Sequence, residues 1–207
     1  MTNKLPVIHI IDDEKDLADE LAKILKSLKS NVETYSSAVD FLERYTPGNP
    51  GCVVTDIRMP GISGPELQDR LIAMKDPIPI IFISGCADVS TTVRVMSKGA
   101  RYLFEKGSST HDLVGAIQKA VESDLRNHEA SVIGSDVMTR YESLSMRERD
   151  ILQGLLKGMT NKEMAEAYGI SANTVEIHRA RVKSKMQTDT LADLVRICIN
   201  FNLDKAS

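Results

Sequence analysis

The sequence predicts an α/β domain built on a five-stranded, parallel, doubly wound sheet, followed by an all-α domain. Three observations carry this prediction. Five short apolar runs recur through the first 125 residues, each followed by a segment with helical spacing. The runs are continuous rather than alternating, the pattern of strands covered on both faces and hence of a parallel sheet. Beyond about residue 143 only helical periodicity recurs.

The first run, VIHII (7–11), precedes a helix over 15–29, with Leu17, Leu21, Ile24, Leu25 and Leu28 on one face. VETY (32–35) is a second strand. Ser36 or Ser37 caps the helix carrying Val39, Phe41 and Leu42. TPGNPG (46–51) is a loop by composition, and CVVTDI (52–57) a β-branched buried strand. Pro65 suits the first turn of a helix reaching about Lys75. IPIIFI (78–83) is the fourth strand. A helix over 88–98 stops at Gly99. RYLF (101–104) is the fifth strand, before a helix over 110–125 on Leu113, Val114, Ile117 and Val121. The polar stretch 126–142 reads as a linker or a frayed extension of that helix, dividing a domain at 1–125 from one at 143–207.

The 207 residues are 42% hydrophobic and 27% charged, ordinary values for a soluble globular protein. No apolar run approaches a membrane span, and the first is too short for a secretory leader, so a cytoplasmic protein without membrane attachment is expected. Cys52, Cys86 and Cys198 are scattered and form no CxxC pair, which fits a reducing compartment. Residues 1–143 carry 16 basic and 21 acidic side chains, and residues 144–207 carry 10 and 8. The two parts therefore differ in sign, which suggests different partners.

In a parallel sheet, sites gather at the carboxyl ends of the strands. Asp12 and Asp13 follow the first strand, Asp56 closes the third, Ser84 follows the fourth and Lys106 the fifth. Singly, each has a plainer role as a cap, a turn residue or a solvated charge. Together they place three carboxylates, a hydroxyl and an ammonium on one edge. Carboxylates so packed repel unless a cation joins them, and oxygen donors suit Mg²⁺. Such a site handles phosphoryl groups, with Asp56 as nucleophile.

The motifs IDDE, VVTDIRMPGISG, FISG and GARYLFEKG, in this order, make residues 5–125 resemble the receiver domain of bacterial two-component response regulators. The resemblance implies a flavodoxin-like, CheY-like fold. It implies Asp56 as phosphoacceptor, with Asp13, Asp56 and the backbone carbonyl of Arg58 holding Mg²⁺ and Asp12 assisting. Ser84 would be the switch hydroxyl, Lys106 the partner of the phosphoryl group, and a sensor histidine kinase the donor. Two positions depart from the family's pattern. Gly107 stands where the family has Pro, often after a cis bond; a non-proline cis bond costs about 2.5–4 kcal/mol, so Lys106–Gly107 is expected trans. The aromatic switch position falls on Leu103, flanked by Tyr102 and Phe104.

In the second domain, Leu144, Ile151, Leu152, Leu155 and Leu156 form one helical face that Gly158 ends. Thr160 caps a second helix, with Met164 and Ala165 in its core, and YGIS (168–171) is a tight turn. A third helix, starting at Asn173 or Thr174, sets Val175, Val182 and Met186 on one side and His178, Arg179, Arg181, Lys183 and Lys185 on its polar side. Thr190 starts a fourth. A glycine turn before a basic helix is the signal of a helix-turn-helix. TNKEMA, GIS and TVEIHR make residues 144–202 resemble the LuxR-type helix-turn-helix, closest to the FixJ/NarL response regulators. By that resemblance, Lys162, Thr174, Val175, Glu176, His178, Arg179 and Lys183 face double-stranded DNA, and the phosphorylated chain forms a homodimer.

The expected function is therefore transcriptional regulation by phosphorylation-dependent DNA binding, not turnover of a substrate. The alternative within the class is an atypical LuxR-type transcription factor whose receiver is not switched by phosphorylation. An aspartyl-phosphate hydrolase would carry a second acid at position 58, where Arg58 stands. A flavin phosphate would meet three carboxylates.

Overall fold

The computed structural model describes residues 5–85 and 88–203, which form two units, one up to Glu129 and one from Ala130. Cys86 lies outside the described residues. The first unit contains β1 (Val7–Ile11), α1 (Lys15–Leu25), β2 (Asn31–Tyr35), α2 (Ala38–Arg44), β3 (Gly51–Asp56), α3 (Gly64–Ala73), β4 (Ile80–Ser84), α4 (Val89–Ser97), β5 (Tyr102–Glu105) and the start of α5 (Thr110–Glu142). The five strands are parallel in the order β2-β1-β3-β4-β5, the doubly wound sheet that the apolar runs predict.

Alternation within the strands builds two cores from continuous apolar runs. Ile8, Ile10, Cys52, Val54, Ile81 and Ile83 face α1 and α5 through Leu21, Leu25, Ile117 and Val121. Ile11, Tyr35, Val53, Ile80 and Phe82 face α2, α3 and α4 through Phe41, Leu67, Leu71 and Val95. His9 is a buried polar exception. Its Nδ1 lies 3.0 Å from the Tyr35 hydroxyl, which donates to Glu33 at 2.6 Å. Burial drops its pKa to about 4 against the pull of Glu33 and Asp76, so it sits neutral.

The helix starts are capped as their sequences direct. Ser37 caps α2, accepting the Asp40 N–H at 3.1 Å. Ser63 and Glu66 form a capping box on α3 with Pro65 in its first turn. Asp88 caps α4, accepting the Thr91 N–H at 2.7 Å. Helix α1 stops at Leu25, short of the expected Lys29, because a turn bonded from Leu28 N–H to Leu25 O leads into β2.

Residues 126–142 are helical and continue α5, so this stretch, read as a linker or a frayed extension, extends the helix. Val137 and Tyr141 give the reason, since they are buried in the core of the second unit. That unit adds α6 (Met146–Leu156), α7 (Asn161–Tyr168), α8 (Ala172–Met186) and α9 (Leu191–Asn200) around Ile151, Leu152, Met164, Val175, Val182, Met186 and Leu194. Helix α8 starts at Ala172, ahead of the expected Asn173 or Thr174, because Ser171 is the cap and accepts the Thr174 N–H at 3.1 Å. Gly169, at φ 64°, makes the left-handed turn between α7 and α8.

Candidate functional site

Strand register brings the first set of candidate residues together. Ile11 pairs with Thr55, Asp56 with Ile83, and Ser84 with Glu105. Asp12, Asp56, Ser84 and Lys106 therefore end neighbouring strands at one level. Asp12, Asp56 and Ser84 are buried, while Asp13 is exposed. Carboxylate oxygens of Asp12, Asp13 and Asp56 all lie within 4.8 Å of one another. Three carboxylates at that separation, offering only hard oxygen donors, fit a Mg²⁺ ion.

Lys106 is the counter-charge. Its Nζ stands 2.6 Å from Asp56 Oδ2, 2.7 Å from Glu14 Oε1 and 3.2 Å from Asp12 Oδ2. Burial works to lower the Lys106 pKa, but the carboxylates of Asp56, Glu14 and Asp12 outweigh it and hold the ammonium charged well above its usual range. Burial raises the Asp12 carboxyl, against the Glu14 N–H and Lys106 that favour its ionised form. Glu14 is absent from the sequence expectations. Its only signal is its place in IDDE, and its reach to Lys106 depends on a side-chain conformation that spacing does not encode.

Local backbone holds these groups. Asp56 Oδ1 accepts the Arg58 N–H at 3.0 Å, so Asp56 caps its own turn as well as facing Lys106. The loop folds back at Gly64, where a Cβ would come within 2.2 Å of the Asp56 carbonyl oxygen. That close approach explains the glycine closing MPGISG. After β5, the Lys106 N–H donates to Ser84 O at 2.7 Å, and the Ser108 N–H and hydroxyl both donate to Glu105 O. Gly107 occupies the third position of this turn at φ 91°, and no peptide bond among the described residues is cis. A turn closed by a left-handed glycine thus aims Lys106 without proline. Leu103 is half-buried against the α2–α4 core, while Tyr102 is exposed on the other side of the pleat.

The second set lies on α7 and α8. Lys162 and Glu176 are exposed, and Thr174, His178, Arg179 and Lys183 are half-buried. Val175 is fully buried in the core of the second unit, which corrects its expected place on a DNA-facing surface. Its phase on α8 matches Val182 and Met186, so packing claims it. Asn161 at the start of α7, unremarked in the sequence, donates to Glu176 Oε2 at 2.8 Å and accepts from Arg179. The hydroxyls of Ser171 and Thr174 are 2.8 Å apart. Lys185, counted on the polar side of α8, turns back to Glu148 at 2.7 Å.

Known proteins share this organisation. Residues 8–118 match the family described as response regulator receiver domain, and residues 142–198 the family described as bacterial regulatory proteins, luxR family. The chain is 36% identical over 192 residues to the transcriptional regulatory protein FixJ of Bradyrhizobium diazoefficiens, covering 93% of this chain and 94% of that one. It is 36% identical over 197 residues to the response regulator protein TmoT of Ectopseudomonas mendocina, covering 95% and 90%. A solved structure of the response regulator StyR superposes with a TM-score of 0.88 at 35% identity, covering 95% of this chain and 99% of that one.

Proposed function

The chain belongs to the two-component response regulators that join a receiver domain to a LuxR-type DNA-binding domain, and we propose that Asp56 is its phosphoacceptor. It acts as a transcription factor. The observation that carries the assignment is the 2.6 Å approach of Lys106 to Asp56 inside a cluster of carboxylates. A carboxylate oxygen of Asp56 attacks the phosphorus of a phosphohistidine on a sensor kinase. One P–O bond forms, and the P–N bond to the imidazole breaks.

Asp12, Asp13 and Asp56, with the backbone carbonyl of Arg58, would hold Mg²⁺, which when bound supplies the positive charge that lets a phosphoryl group approach several carboxylates. Lys106 then pairs with a phosphoryl oxygen in place of the Asp56 carboxylate, and the Ser84 hydroxyl donates to another. In the second unit, Lys162, Thr174, Glu176, His178, Arg179 and Lys183 form the surface offered to double-stranded DNA in the cytoplasm. No helix among the described residues is long and apolar enough to cross a membrane.

The test is phosphoryl transfer from a small-molecule donor such as acetyl phosphate. The wild-type chain takes up a Mg²⁺-dependent, hydroxylamine-sensitive label, and Asp56→Asn takes up none. A label that persists in Asp56→Asn overturns the assignment.

A further inference from the structure

Lys185 belongs by sequence to the basic side of α8, yet its ammonium is already engaged within the protein. Its Nζ donates to Glu148 Oε2 at 2.7 Å and to the Ser143 carbonyl at 2.9 Å. The Glu148 side chain is 4% exposed and also accepts the Ser145 N–H at 2.8 Å, closing the capping box of α6. One residue on, Arg140 Nη1 of α5 donates to the Met186 carbonyl at 3.4 Å, one of the carbonyls a helix end leaves without an internal partner. Arg149 of α6 donates to the Glu142 carbonyl at 3.1 Å, with its guanidinium over the Tyr141 ring. The last turn of α8 is therefore tied to the end of α5 and the first turn of α6. The opposite end of α8 carries Thr174, Glu176, His178 and Arg179. Lys183, by contrast, is in no ion pair among the described residues.

We propose that Lys185 and Glu148 are positioning residues for DNA recognition: through the buried carboxylate they set the angle at which α8 is presented, and Lys185 is not a phosphate ligand. Removing the lysine leaves the Glu148 carboxylate buried without its mate, so the helix end must shift or the carboxylate must find water. The inference rests on α8 being the DNA-contact helix. It adds that two residues which touch no nucleotide govern how well that helix reads sequence.

The test measures affinity against salt concentration for the full-length chain carrying beryllofluoride. The probes are a duplex selected by the wild-type chain from a randomised pool and an unselected duplex of equal length. Lys183→Met is the reference for a phosphate contact and lowers the salt slope by about one on both duplexes. Lys185→Met lowers affinity for the selected duplex roughly tenfold, leaves the salt slope unchanged and narrows the ratio between the two duplexes; Lys185→Arg restores the ratio. Glu148→Gln removes a negative charge, so electrostatics alone would strengthen binding, whereas a positioning role weakens binding to the selected duplex. Arg140→Gln spares the buried pair and carries the same test, with a smaller loss, if Lys185→Met does not fold by circular dichroism. A slope that falls by about one in Lys185→Met overturns the proposal. So does an unchanged duplex ratio in folded Lys185→Met and Glu148→Gln. If Lys183→Met changes neither slope nor affinity, the assignment of α8 as the DNA-contact helix falls first, and the proposal with it.

Discussion

Lys106 holds its ammonium among three carboxylates, those of Asp12, Glu14 and Asp56. Of these, Glu14 is the exposed one. Replacing the lysine by methionine leaves Asp12 and Asp56 buried and facing each other without a counter-charge. Breaking a pair in such a setting costs up to about 3–5 kcal/mol when both partners are fully dry. The mouth of this pocket is open on the Glu14 side, so we expect about 2–3 kcal/mol for Mg²⁺-free Lys106→Met at pH 8. The pH dependence has a definite sign. Lys106 is raised in the folded chain, so its contribution is fully present below the ordinary lysine value of 10.5 and disappears only as pH rises through the folded value. Asp12 is raised by burial, so its ionised form works against folding, and that cost is relieved as pH falls through its folded value. The deficit of Lys106→Met therefore shrinks as pH falls from 8 toward 4. Urea unfolding of both chains at several pH values reads this directly. A deficit constant over that range would show that Lys106 acts by packing rather than by charge.

Among the secondary-structure elements, Gly51 and Gly154 stand where a Cβ would meet a neighbour too closely, and the two neighbours differ in kind. A Cβ at Gly51, the first residue of β3, would stand 2.0 Å from the Val7 carbonyl oxygen, and the Gly51 N–H is held by the buried Asp124 at 2.9 Å. Backbone cannot yield without breaking the β1–β3 ladder, so Gly51→Ala costs about 3 kcal/mol or more. A Cβ at Gly154 in α6 would meet Met164 Sδ at 2.7 Å and Cγ at 2.9 Å, and methionine is the side chain best able to move. Gly154→Ala accordingly costs roughly 1 kcal/mol, and denaturant melts of the two variants check the contrast. Element identity was legible wherever burial and period agree. The β3 run is buried at all six positions, and the amphipathic face of α1 recurs in its buried Ala18, Leu21 and Leu25. Legibility ended where helical burial becomes sparse. Between Leu125 and Glu142 α5 buries only Val137 and Tyr141, too few for a period to register. Asp124 was equally hidden, since its partner Gly51 lies 73 residues away and no local pattern links them.

At the scale of the whole molecule, the division into an acidic α/β unit and a slightly basic helical unit could be read from charge and periodicity, because each unit closes its own core. The pocket was legible too, because a parallel sheet obliges residues after successive strands to meet. What the sequence left open is how the two activities communicate, and Leu103 marks the point. Where the family places an aromatic switch, this chain has an aliphatic side chain packed against the α2–α4 core, with Tyr102 outside. A phosphoryl group can drive the molecule only as far as it interacts differently with two states. On the proposed assignment of Asp56, its differential contacts would be Lys106, Ser84 and the turn at Gly107. If these suffice, beryllofluoride with Mg²⁺ shifts the wild-type chain toward a dimer and tightens binding to a selected duplex by roughly 5–150-fold, the usual span of a coupling of 1–3 kcal/mol. Asp56→Asn shows neither response. Leu103→Tyr, which restores a bulky aromatic ring at that position, leaves phosphoryl uptake at Asp56 unchanged, because Leu103 does not touch the pocket. Light scattering and duplex titration on the same samples measure both responses. If Mg²⁺ and beryllofluoride bind without changing either oligomeric state or affinity, the pocket is intact but uncoupled. The chain then regulates transcription by some input other than phosphorylation, and Leu103→Tyr becomes the substitution that asks whether the missing ring is the reason.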